Sequence, residues 1–148
     1  MNIKMAAVLL VLFTLSSTVL YAQVKKPAPR RVVGGTSSIA RGKIVYTSVC
    51  LPCHMADGGG VQNMNPPLVK TTYVLGNKPA LIKIVLNGFN EDVEINGQTY
   101  SNTMSAHDDL KDQQIADVLT YVRNSFGNKA SAVKVAEVTK VRATQAKH

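Results

Sequence analysis

The chain has 148 residues, room for one domain of ordinary size, and a formal net charge of +8. Apolar residues make up 45%, which excludes a disordered chain, and two cysteines exclude a disulfide-rich scaffold. There is no Trp and aromatics are only 5%, so the side chains supply little bulky apolar volume for a core.

The N-terminus reads as a secretory signal over residues 1–22. Lys4 gives a positive start, Met5 to Leu15 is an almost unbroken apolar run, and Ser16, Ser17 and Thr18 lead to a small residue, Ala22. Leu20 is larger than the residue usually found at the third position before a cleavage point. An uncleaved anchor is the competing reading, but the strictly apolar run is short of the ~20 residues that span a bilayer. Residues 23–36 hold Lys25, Lys26, Pro27, Pro29, Arg30, Arg31, Gly34 and Gly35. Such a basic Pro/Gly run predicts an extended linker.

Ser37 and Ser38 are helix-capping residues, and Ile39, Gly42, Tyr46 and Val49 recur at helical spacing. The predicted helix ends at Cys50. Cys50-Leu51-Pro52-Cys53-His54 follows, with both cysteines of the chain and a histidine directly after the second. C-x-x-C-H reads as a c-type haem attachment site. Two thiols three positions apart can each add to one vinyl group of haem, and the next residue is then held where its imidazole can bind the iron. A thioredoxin-like site would need a βαβ pattern around the motif, and none is visible. A structural zinc site needs four ligands, and His107 and His148 lie far off without ligand spacing. A disulfide across two residues would close too short a loop to stabilise much.

Met55 to Gly60 predicts a flexible loop, and Pro66-Pro67 a stiff one. Pro79 to Leu86 predicts a short helix, with Pro in its first turn and Gly88 past its end. Val93 to Tyr100 around Asn96-Gly97 predicts a hairpin with a type I′ turn. Met104 falls in a polar, irregular stretch. The last strong helix is expected from about Asp109 to Phe126, with Ile115, Val118, Leu119, Val122 and Phe126 as its apolar stripe. Asp108, Asp109 and Asp112 suit its N-terminus, Arg123 its last turn, and Gly127-Asn128 its stop. Residues 129–148 read as a basic tail.

With these residues in view, residues 37–128 resemble the class I cytochrome c family. The resemblance rests on C-x-x-C-H, on Gly42 and Tyr46 before it, on Pro66-Pro67-Leu68 after it, on Met104 following Gly97 and Tyr100, and on the helix around Ile115 to Arg123. It implies a small all-α haem domain of three or four helices with a hairpin-like excursion. It implies a first and a last helix that cross, with Tyr121 against Gly42. It also implies one covalent haem c on Cys50 and Cys53, and a Pro66 carbonyl that accepts from His54. Many family members have Pro directly after the axial methionine; this chain has Ser105.

His54 and Met104 are the expected metal ligands. A thioether opposite an imidazole favours Fe(II) and raises the potential. Met55 adjoins His54, and Met64 lies in the loop that supports it. His107 is the rival for the sixth position. Leu68, Leu75, Leu81 and Ile84 are expected to line the pocket, with Tyr73 and Tyr100 near it.

Residues 37–128 hold seven basic and eight acidic residues, so the positive surplus lies on the flanks. Those flanks are either solvated ends or a surface for an acidic redox partner or an anionic membrane. Nucleic acid is excluded as a partner by export and by the lack of an aromatic-basic surface pattern. The expected function is one-electron transfer between a dehydrogenase and an acceptor, in the periplasm or elsewhere outside the cytoplasm, with no bond chemistry of the protein's own. A haem peroxidase or gas-binding sensor with an open sixth position is the alternative.

Overall fold

A computed structural model describes residues 37–145. The expected signal peptide and linker lie outside the described residues.

Helix α1 (Ser38–Val45) starts where the Ser37 hydroxyl accepts from the Ala40 N–H at 3.2 Å. It does not stop at Cys50, as the sequence reading expected. It runs into a π-helical turn, Tyr46–Cys50, and then α2 (Leu51–His54), so the whole C-x-x-C-H motif is helical. Pro52 is tolerated because it lies in the first turn of α2, where its missing N–H is not needed.

Helix α3 (Thr72–Leu75) is capped by Thr71, and α4 (Lys78–Asn87) by Asn77. Strands β1 (Val93–Ile95) and β2 (Gln98–Tyr100) pair antiparallel, Val93 opposite Tyr100 and Ile95 opposite Gln98. Asn96 and Gly97 both have positive φ, 54° and 76°, as a type I′ turn requires.

Helix α5 (Asp112–Val122) is shorter than its apolar stripe predicted. Its start is set by Lys111, whose N–H donates to the Gln114 side chain at 3.0 Å, so Asp108 and Asp109 precede it. Phe126 lies beyond its end but still packs its ring 5.3 Å from that of Tyr46. Arg123 does not face solvent at the helix end; it is 3% exposed.

Residues 135–145 correct the reading of a basic tail. Val135–Gln145 is a further helix, α6, packed on α4 and α5. Val138 is fully buried and Val133 and Val141 join the main core. Two ion pairs hold it, Lys78–Glu137 at 3.2 Å and Arg142–Asp112 at 2.7 Å. Its short apolar face of two valines was too sparse to stand out in the sequence.

Helices α1 and α5 cross at Gly42. A Cβ there would lie 2.8 Å from Cβ of Tyr121 and against the Asp117 carbonyl, closer than side chains approach. The crossing carries a buried polar cluster. Asp117, 2% exposed, accepts from Arg41 at 2.6 and 2.8 Å, from Gln113 at 3.0 Å and from the Ser38 hydroxyl. Burial pushes the Asp117 carboxyl up, but the hydrogen bonds from Arg41, Ser38 and Gln113 outweigh it and hold it below its ordinary value.

The apolar residues form two clusters. The main one joins the helices; the smaller one is Val93, Ile95 and Tyr100 with Phe89.

Candidate functional site

Both clusters border the same cavity. Val85, Leu81, Leu119 and Val122 come from the main core, and Phe89, Val93, Ile95 and Tyr100 from the hairpin side. A hairpin of two short strands is marginal alone, so an apolar body filling the cavity would join it to the helices.

Cys50, Cys53, His54 and Met104 all line this cavity. The π-helical turn and α2 carry the first three on one rigid segment. Burial and the neighbouring Cys53 push the Cys50 thiol up to about 11. It is therefore a poor free nucleophile, and a thioether, which has no proton to lose, suits that buried place. His54 Nδ1 lies 3.0 Å from the Pro66 carbonyl. A carbonyl only accepts, so Nδ1 carries the proton and Nε2 keeps its lone pair for a metal. Burial lowers the His54 pKa despite that hydrogen bond, with His107 lowering it further, so the imidazole is neutral at neutral pH.

The loop after the motif is tight rather than flexible. The Gly60 N–H donates to the His54 carbonyl at 3.2 Å and the Leu68 N–H to that of Gly58 at 2.7 Å. Tyr46, 1% exposed, donates its hydroxyl to the Met55 carbonyl at 2.6 Å, and burial pushes its pKa up. Asn128 locks the other end. Its amide donates to the Leu68 and Val122 carbonyls at 2.9 and 2.8 Å and accepts from the Lys70 N–H at 2.7 Å.

Met104 is held by Phe89, with which it forms an isolated antiparallel bridge. Gly88 makes this approach possible: with φ +75°, it leaves room where a Cβ would meet the Met104 carbonyl and lie 2.9 Å from the Ala106 nitrogen. The Met104 segment is also tied to the proline loop, since Asn102 donates to the Met64 carbonyl at 3.1 Å and to Asn65 at 3.2 Å. His107, the rival, lines the same cavity, with its N–H on the Val85 carbonyl at 2.9 Å.

Leu68, Leu81 and Ile84 line the cavity as expected, as do Tyr73 and Tyr100. Leu75 does not; it is 36% exposed on α3. Sequence reasoning missed Phe89, Asn102 and Asn128, which act through contacts with distant segments. Gly88 beside Phe89 was the one local signal, and it was read only as a helix stop.

The profile of the cytochrome c family matches residues 39–126. The chain belongs to the cytochrome c family. It is 38% identical over 123 residues to the cytochrome c subunit of a quinone alcohol dehydrogenase from Gluconacetobacter polyoxogenes, covering 76% of this chain and 24% of that subunit. It is 32% identical over 114 residues to cytochrome c-552 of Thermus thermophilus, covering 70% of this chain and 86% of that protein. The cytochrome c subunit of a gluconate 2-dehydrogenase from Pantoea cypripedii is 34% identical over 99 residues, with 22% of its length covered. The chain thus spans about a quarter of the dehydrogenase subunits it matches. The family carries covalently attached haem c, and the cavity suits that group: it is apolar, bordered by two thiols, and has a neutral imidazole with a free lone pair. No helix among the described residues is long and apolar enough to cross a membrane.

Proposed function

We propose that this cytochrome accepts single electrons from a dehydrogenase and passes them to a separate acceptor outside the cytoplasm, after removal of residues 1–22. The observation that carries the reading is the one apolar cavity lined together by Cys50, Cys53, His54 and Met104. Haem c supplies an iron that gains and loses one electron. In this reading Cys50 and Cys53 fix the porphyrin, and His54 offers Nε2 while Pro66 holds its Nδ1 proton. Met104 offers its thioether from a backbone pinned at Phe89. Apolar walls from Leu68, Leu81, Ile84 and Val85 keep water away and favour the less charged reduced state. The dehydrogenase donor is supported by the relatives that are dehydrogenase subunits.

The test is the exported protein itself. Its mass should be that of the chain from Gln23 onward plus one haem, and its spectrum should be that of a reversible low-spin haem. A bare polypeptide mass after coexpression with haem-attachment machinery would sink the reading.

The basic run of Lys25, Lys26, Arg30 and Arg31 is proposed to steer docking to an acidic partner or an anionic membrane. Neutralising all four should slow reduction by the donor at low salt, with the gap closing as ionic strength rises. Equal rates at low salt would mean merely solvated ends.

A further inference from the structure

We propose that Arg123 tunes the reduction potential, as a fixed positive charge bound to the backbone behind the cavity wall. The inference rests on the electron-carrier reading above. Arg123 is 3% exposed, and no carboxylate among the described residues lies within ion-pair distance of it. The acid that acts on its charge is Glu137, itself paired with Lys78.

A buried charge without a close counter-ion persists only if its donors are satisfied. Two of the three guanidinium nitrogens of Arg123 are used on backbone carbonyls: Nε donates to Ser131 at 2.9 Å, and Nη1 to Val74 and, at 3.4 Å, to Gly76. The Val74 carbonyl is an orphan acceptor at the end of α3, where a cation also meets the negative end of the helix dipole. Burial lowers the Arg123 pKa, yet a guanidinium stays protonated in proteins, so the charge is permanent.

The place matters as much as the sign. Val122 precedes Arg123 and lines the cavity, as does Val74, whose carbonyl it holds. A positive charge there favours the redox state with the lower positive charge, which is the reduced one. Low dielectric strengthens the effect, and salt screens it little. Arg123 is thus a positioning residue, holding the α3 wall, and an electrostatic one.

The test compares Arg123→Lys with Arg123→Gln in the full haem-loaded protein, by redox titration and thermal unfolding. Both lose the fork and should unfold at lower temperature. Only the Gln variant loses the charge, so its midpoint potential should lie below that of the Lys variant, by the same margin at low and high salt. Equal potentials for the two variants, or a margin that vanishes in salt, would overturn the proposal. Should the Gln variant fail to accumulate, the Lys variant alone decides. A buried lysine loses its proton at lower pH than an exposed one. The potential of that variant should therefore step down on raising the pH while the native protein shows no such step over the range in which its low-spin spectrum is unchanged. Absence of the step up to the pH at which the variant unfolds would overturn the proposal. The native spectrum and its reversible midpoint, taken first, test the carrier reading separately.

Discussion

The backbones of Phe89 and Met104 exchange two hydrogen bonds: the Phe89 N–H donates to the Met104 carbonyl at 2.9 Å and the Met104 N–H to the Phe89 carbonyl at 2.7 Å. This bridge fixes the Met104 backbone whatever its side chain holds. Replacing the side chain should therefore change ligation while leaving the fold in place. Met104→Ala should lose the weak charge-transfer band at the red end of the oxidised spectrum, bind carbon monoxide readily when reduced, and have a lower potential. His107 lines the same cavity. If His107→Ala, and not Met104→Ala, abolishes the native low-spin spectrum, the ligand is His107.

Gly88 tests the same bridge from the other side. Gly88→Ala forces a side chain onto a φ of +75° and against the Met104 carbonyl. The loop must shift, so the Met104 band should weaken while covalent haem is retained in full. An undiminished band with native stability would show that the bridge does not position the ligand.

Acid stability follows from three carboxylates held below their ordinary values of 3.8 for Asp112 and Asp117 and 4.5 for Glu137. For Asp112 the chief cause is the Thr139 hydroxyl, and for Glu137 the Lys134 N–H. At Asp117 the Arg41, Ser38 and Gln113 bonds overcome the larger opposing effect of burial. The unfolded chain binds protons on these groups first as pH falls. Their stabilisation is thus complete above the ordinary carboxylate range and is lost as pH drops through the folded values. Thermal unfolding temperature should hold level from neutral pH to about 5 and fall steeply below about 4. Asp117→Asn should lower it at neutral pH and make the acid fall shallower. An equally steep fall in that variant would place the loss elsewhere.

Helix α6 is part of the fold, so cutting into it should cost stability. Val138 is fully buried, and Val138→Ala should destabilise by ~2 kcal/mol, from two lost methyl groups and the space they leave. Urea unfolding of the haem-loaded protein measures it directly. A midpoint equal to the native one would restore the picture of a free basic tail.

What the sequence by itself determined was local. C-x-x-C-H needs only five consecutive residues to state its chemistry. The Asn96-Gly97 turn was legible with its register because two adjacent residues at positive φ leave one pairing. Proline and capping residues marked α1 and α4 for the same reason: the forces that start a helix act within one turn. The crossing of Gly42 by Tyr121 was legible only through the family likeness.

What only the tertiary structure decided depended on partners far along the chain. Phe89 shows no sign in sequence of holding Met104, because a backbone hydrogen bond accepts almost any residue type, and Asn128 none of tying Leu68 to Val122, because the carbonyls its side-chain amide reaches are brought together only by the fold. Leu75 looked like pocket lining and faces outward, since apolarity alone does not tell which side of a short helix is covered. Arg123 suited the last turn of a helix, and its burial was not legible there. Three carbonyls from segments distant in sequence or beyond the helix end made its burial possible, and no periodicity in the sequence encodes where those carbonyls meet.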